Sequence, residues 1–374
     1  MKHLLNRSFC LLLTGILTVA SISHAEEQAE KTVKKKPMVQ IAILLDNSGS
    51  MQGLINQARA ELWKVVNEFV TARLDGQHPD LQVAVYHYGN PPATQLVALT
   101  DDLDRVSEAL FGIPVSGGSE YCGQVIQLAT QQLKWSDSHR DLKLIFIAGN
   151  EPFTQGPVDY RQACKAAIAK GITINTIHCG KGIPTGWLNG ALLTDGKSMN
   201  INHTAAVVHV AAPQDKEISK LGIELNKTYI AFGKKGASGL LRQSLQDKNA
   251  GNSSIATAQQ RAVTKANAFY RNSTWDLCDA CKEGKVDLAK IKTEDLPEIM
   301  QKMTLKQRIA YVKTKQAERL SVQKKINELN AVRLKYVAAK QKELAEKTGQ
   351  ETLDTALIGA IREQATKKKF SFEK

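Results

Sequence analysis

Val39-Gln40-Ile41-Ala42-Ile43-Leu44-Leu45-Asp46-Asn47-Ser48-Gly49-Ser50 is the stretch whose reading decides the fold. Its first seven residues are an almost unbroken apolar run, the pattern of a strand buried on both faces. The next five bring one carboxylate and two hydroxyls to the end of that strand. A helical apolar spacing follows at once, at Leu54, Ala58, Leu62, Val65, Val66 and Phe69. In an open α/β sheet, ligands bind in the crevice at the carboxyl ends of the strands. A sharp turn there can aim Asp46, Ser48 and Ser50 at one point. Hard divalent cations such as Mg²⁺ take oxygen ligands and keep some waters. The same five residues are also an ordinary turn composition, with Ser or Asp free to cap the next helix.

Working outward, residues 38 to about 235 alternate strand and helix patterns. Strands are expected at 39–45, 81–88, 142–148, 173–178, 199–201 and 228–232. Helices are expected at 54–72, 103–111, 122–133, 160–170 and 215–225. Such alternation implies an α/β fold, a doubly wound and mostly parallel sheet covered on both faces.

The pattern D-x-S-x-S after an all-apolar strand resembles the first metal-site motif of von Willebrand factor A domains, and the element order resembles that fold over roughly 200 residues. The resemblance implies a metal-ion-dependent adhesion site that binds Mg²⁺ or Mn²⁺ and completes its coordination with a partner's acidic side chain. In that family a second loop carries Thr after a Gly pair. Gly117-Gly118-Ser119-Glu120 matches it, with Ser119 at the hydroxyl position. A third loop usually carries Asp at the end of the next strand. Here that strand ends Ile147-Ala148-Gly149-Asn150-Glu151-Pro152, which puts Gly149 at the Asp position. One carboxylate is therefore missing, and Glu120, Asn150 or Glu151 would have to substitute. The metal set implied is Asp46, Ser48, Ser50 and Ser119, with those three as substitutes. The competing expectation is a scaffold whose site has lost its ion and whose basic C-terminal helices bind the partner or an envelope surface.

The N-terminus has the form of a secretory signal. Lys2 and Arg7 precede a mostly apolar stretch over 9–22, and Ser23-His24-Ala25 is a small-x-small cleavage site. Residues 1–25 are expected to be removed, 26–37 to be a flexible charged lead-in, and the chain to be exported, most simply to a bacterial periplasm. Cys122, Cys164, Cys179, Cys278 and Cys281 would remain. Export permits disulfides, and the placement of Cys122 and Cys179 on one sheet edge makes them a candidate pair. Cys278-Asp279-Ala280-Cys281 lacks the further ligands a zinc site needs, leaving a local disulfide, a redox role or burial.

Beyond the sheet region, residues 236–252 are polar and Gly-containing and are expected as a linker. Residues 253–374 read as a basic helical region: a helix over 253–270, a long one over 294–347, and a short one over 352–365. Gly349 is the break that would let the last two pair as a hairpin. The chain carries a formal net charge of +13 with a pI near 9.3. From residue 282 onward, 22 Lys and Arg stand against 13 Asp and Glu, a local surplus of +9. A basic surface attracts anionic lipid or acidic proteins. Nucleic acid is not expected, because no aromatic-basic interleaving occurs. Residues 367–372 form a basic-aromatic tail suited to lipid headgroups. No G-x-S-x-G, H-E-x-x-H or Walker loop is present, and His87, His178, His203 and His209 are scattered over strands and their ends. The expectation is a non-enzymatic interaction protein whose partner presents an exposed Asp or Glu, with an anionic membrane surface as a second contact.

Overall fold

The computed structural model describes residues 36–51, 63–201, 210–348 and 353–372. The expected signal, most of the lead-in, residues 54–62 of the first expected helix, His203, His209 and Gly349 lie outside the described residues.

Strand β1 (Met38–Leu45) is followed by a two-residue strand β2 (Ala72–Arg73), β3 (Asp80–His87) and β4 (Thr94–Thr100). Helices α1 (Leu103–Phe111) and α2 (Cys122–Gln132) lead to β5 (Leu142–Gly149). Then come α3 (Tyr160–Ala169), β6 (Ile172–His178), α4 (Thr185–Leu192) and β7 (Ser198–Asn200). The helical part comprises α5 (Asp215–Asn226), α6 (Gly236–Ser253), α7 (Ile255–Lys265), α8 (Leu277–Lys282), α9 (Leu305–Thr348) and α10 (Leu353–Lys367), and ends in β8 (Ser371–Phe372).

Six strands form one sheet in the order β4-β3-β1-β5-β6-β7. All neighbours are parallel except the antiparallel β3–β4 edge. Alternate residues of a strand point to opposite faces, and β1 shows it. Ile41, Ile43 and Leu45 join a core with α1, while Ala42 and Leu44 join a second core with α2, α3 and α4. The sequence pattern did not show β4, because an exposed edge strand needs little apolar content: only Val97 of its seven residues is buried. Helix α4 was also unmarked, since it contains Gly186 and Gly190, residues with poor helix propensity. Gly190 is needed there, because a Cβ would fall 2.5 Å from the Phe153 ring.

The C-terminal helical region follows the sheet in sequence and also covers it. The first core contains Ile218 and Leu221 of α5, Ala262 of α7, Ile326 of α9, and Leu357, Ile361 and Ala365 of α10. Asn175 of β6 and Gln364 of α10 exchange amide hydrogen bonds at 3.0 and 2.7 Å in the buried layer. So α10, expected in a hairpin with the long helix, turns its buried face to the sheet.

Three further expectations are corrected. The expected linker 236–252 is helix α6. Its buried side is polar, which is why no apolar period marked it: Gln246 accepts from the Ser107 hydroxyl at 3.1 Å, and Gln243 donates to Tyr270 Oη at 3.1 Å. The expected strand 228–232 adds nothing to the sheet. It makes one antiparallel bridge, Ala231 to Asp276, and its Ile230 packs in a third small core with Leu277 and Met300. The basic-aromatic tail is not free either. Phe370 is buried in the first core, and Phe372 and Ser371 pair with Ala72 and Arg73.

Candidate metal centre

The order β3-β1-β5 places a strand on each side of β1, and the chain leaves β1 for one side and later returns on the other. That is the switch point where open α/β sheets form their ligand crevice. The ladder runs one residue past β1. Asp46 N donates to Ala148 O at 2.9 Å, and Tyr88 N donates to Leu45 O at 3.1 Å. Asp46 is thereby fixed between two neighbouring strand ends, fully buried.

The next residues fold back on it. Ser48 N donates to Asp46 Oδ1 at 2.7 Å, an Asx-type turn. The hydroxyls of Ser48 and Ser50 are 2.8 Å apart, and Ser50 Oγ donates to Asn150 Oδ1 at 3.2 Å. Asp46 Oδ2 is buried with no hydrogen-bond partner among the described residues, and so is Glu120 Oε2. Burial pushes the Asp46 carboxyl up to about 6. The Ser48 amide and hydroxyl oppose that rise, the Glu120 charge adds to it, and the Asn150 amide again opposes it. Burial likewise raises Glu120, against the Ser48 hydroxyl and with the nearby charge of Glu151. The two carboxylates are therefore both buried and near enough for the charge of Glu120 to act on Asp46.

The structure brings Asp46, Ser48, Ser50, Glu120 and Asn150 together. Ser119 lies in the adjoining loop, half-buried, with its amide on Gly89 O at 3.1 Å. No hydrogen bond joins its hydroxyl to Asp46, Ser48 or Ser50 among the described residues. Glu151 acts on the site through its charge on Glu120, while its carbonyl accepts from Trp187 Nε1 at 2.8 Å.

Asn47, between the candidate ligands Asp46 and Ser48, is the residue that organises the loops. Its Nδ2 donates to Pro114 O at 2.7 Å, and its Oδ1 accepts from Gly89 N at 2.6 Å. Its carbonyl accepts from Ser116 N at 2.8 Å, and His87 Nδ1 sits 3.1 Å from Oδ1. One amide side chain thus ties the turn after β1 to the loops after β3 and α1. Gly89 is required by that closeness, since a Cβ would stand 2.6 Å from Asn47 Oδ1. An asparagine between two candidate ligands was the only available signal.

Gly149, the position of the absent family carboxylate, has no room for a side chain. A Cβ there would lie 2.5 Å from Tyr88 Oη and 3.2 Å from Asp46 Cβ. Tyr88 Oη donates to Ala148 O at 2.8 Å and fills the space instead.

The donor set tests well against a hard cation. It consists of oxygens alone, and two of its carboxylate oxygens are buried and unpartnered. An uncompensated buried carboxylate is costly, and a divalent ion would offset that cost. No group of three or more His, Cys, Asp or Glu side chains gathers to hold a metal among the described residues. The serine hydroxyls and water would have to supply the remaining ligands.

The other reactive side chains serve the frame. His178 Nδ1 lies 2.6 Å from Gly182 O, and its ring is tilted against Trp187. Cys122, Cys164, Cys179 and Cys278 are separate buried thiols and Cys281 a half-buried one. The candidate pairing of Cys122 with Cys179 is therefore not formed, nor is a Cys278–Cys281 bond.

No curated protein matches the chain. Solved structures resemble it over part of its length. They include the VWA domain of SpRpn10, 19% identical over 44% of this chain and 88% of that one, with a TM-score of 0.35. Proximal thread matrix protein 1 from the mussel byssus, with a zinc-occupied MIDAS motif, is 16% identical, and the match covers 46% of this chain and 43% of that protein at a TM-score of 0.37. BatB from Bacteroides thetaiotaomicron is 19% identical over 44% of this chain and 90% of that one, at 0.34. The profile of the von Willebrand factor type A domain matches residues 40–191, a span that begins in β1, holds every residue of the centre and ends in α4, so this segment of the chain is a von Willebrand factor type A domain.

Proposed function

We propose that the protein is a non-enzymatic interaction module that recognises an acidic group of a partner protein through a divalent cation, Mg²⁺ or Mn²⁺. Asp46, Ser48 and Ser50 would hold the ion, with Glu120 as second carboxylate and Asn150 and Ser119 at the rim. The carrying observation is the buried Oδ2 of Asp46, unpartnered among the described residues, together with the equally unpartnered Oε2 of Glu120, whose charge acts on Asp46. A partner's Asp or Glu would fill an open position, and the loops after β3 and β5 would set specificity. The signal-like first 25 residues support export, and none of the described helices is long and apolar enough to cross a membrane.

A thermal melt with Mg²⁺, Mn²⁺ or EDTA, run beside Asp46→Ala, tests this. An ion that binds only the folded state raises the melting point by mass action. The expected result is a cation-dependent rise that vanishes in the variant. A rise of equal size in both proteins would overturn the assignment.

One observation favours a second reading, an ion-free scaffold. Gly149 removes a carboxylate, and Tyr88 occupies its place. Under that reading neither protein responds to millimolar cation, and partner binding survives Asp46→Ala.

A further inference from the structure

Helix α9 (Leu305–Thr348) has two faces of different chemistry. Val312, Arg319, Ile326 and Arg333 recur every seven residues and are buried. Arg319 meets Asp276 at 2.8 Å and Asp279 at 2.9 Å, and Arg333 meets Asp215 at 2.6 Å. The inward cations are therefore neutralised.

The outward face carries Lys306, Lys313, Lys324, Lys335 and Lys342, all exposed. Their steps are seven and eleven residues, and each returns to within about 20° of the same direction on a helix. They line up as one stripe about 54 Å long at 1.5 Å per residue. Among the described residues only Lys324 has an ion pair, with Glu328 at 3.8 Å and both groups mostly exposed. Such a pair contributes little. Among the described residues the other four lysines have no ion pair, so the stripe keeps most of its charge. Between the lysines, on the same side, stand Ala317, Leu320, Ala331 and Ala338, all exposed, with Leu320 at 68%.

We propose that this stripe docks the protein on an anionic lipid bilayer, independently of the cation site. Long, flat arrays of lysine suit a surface of phosphates. Leu320 decides between a bilayer and a soluble polyanion: an apolar side chain set among the lysines gains from the acyl boundary beneath headgroups, whereas a hydrated polyanion offers it nothing. Lysine is suited to this position, since its apolar stem lies along the interface while the ammonium reaches the phosphate.

The test uses the chain from residue 26 onward, without the apolar residues 9–22, and vesicles of phosphatidylglycerol and phosphatidylcholine at 1:3, read by co-sedimentation. Each lysine near such a surface is worth about fivefold in partitioning. Lys335→Gln should lower it about fivefold, and the variant with all five lysines changed to Gln more than about 100-fold. Because these side chains are exposed, the variants should keep the wild-type melting point. Wild-type binding should also collapse in 0.5 M NaCl, about three times the physiological ionic strength. Leu320→Ser should reduce vesicle binding while leaving retention on heparin unchanged. Equal vesicle binding by wild type and the five-lysine variant would overturn the proposal. Vesicle binding unaffected by Leu320→Ser, together with lysine-dependent heparin retention, would replace the bilayer with a soluble polyanion.

Discussion

Asp46 carries two opposed consequences of one burial. In the folded protein its carboxyl holds a proton up to about pH 6, whereas the ordinary value is 3.8. Between those values the folded state binds more protons than the unfolded one, so stability falls as pH rises through the window and stays reduced above it. The difference corresponds to about 3 kcal/mol. Asp46→Asn removes the charge and keeps the shape. In EDTA it should be more stable than wild type above pH 6, by up to about 3 kcal/mol, with the gap closing towards pH 4. Urea unfolding at several pH values measures this, and a gap independent of pH would contradict it. Gly149 gives a second residue-level prediction. Gly149→Ala should cost about 1–3 kcal/mol by overpacking, and Tyr88→Phe, which removes the nearest atom, should recover part of that loss. Additive losses in the double variant, read by the same unfolding curves, would show that the tyrosine is not the obstacle. The carboxylate and hydroxyls of the site were legible as a motif. The emptiness of position 149 was visible too, but its cause lies in a tyrosine 61 positions earlier, brought close only by strand pairing.

At the scale of elements, buried charge decides where the helices sit. Arg261 of α7 meets Asp104 of α1 and Asp247 of α6, each at 2.7 Å, and Lys265 meets Asp247 at 2.6 Å. Burial would raise Asp247, yet Lys265 and Arg261 hold it below the ordinary carboxylate range. Its contribution is thus present above the unfolded carboxylate value and lost as pH falls below it. Arg319 plays the same part for α9. It reaches Asp276, Asp279 and the Thr228 carbonyl, and its guanidinium lies 3.9 Å from the centre of the Tyr229 ring. Removing one partner of such a pair leaves an uncompensated buried charge, a loss of about 3–5 kcal/mol. Asp276→Ala should therefore loosen α9 against α8, seen as faster amide exchange over residues 312–326. Unchanged protection there would mean that apolar packing alone seats the helix. Sequence periodicity found α9 and misjudged α6 for one reason. A helix buried through glutamines and glycine has no apolar stripe to detect.

For the whole molecule, the C-terminal helices share one core with one face of the sheet. Leu357, Ile361, Ala365 and Phe370 are each 3% exposed or less and belong to the same cluster as Val39 and Ile41 of β1. Burying a large apolar side chain is worth about 1.5–3 kcal/mol. A chain ending at residue 352 should thus lose several kcal/mol of stability in the type A domain itself, beyond any effect on partners. Its melting curve, followed by tryptophan fluorescence from Trp63 and Trp187, would show a large drop or no transition. An unchanged transition would mean that residues 40–191 are self-sufficient.

The sequence alone determined the class of sheet, the central strand and the acidic turn at its end. Each of these is written in neighbouring residues: a doubly buried strand must be continuously apolar, and a turn that aims oxygens at one point must carry them close together. Only the tertiary structure decided that the Glu120 charge acts on Asp46, that Asn47 ties three loops together, and that the last helix completes the first core. Those outcomes depend on residues far apart in the chain, whose meeting is set by strand order and by which helix face finds an unfilled part of the sheet.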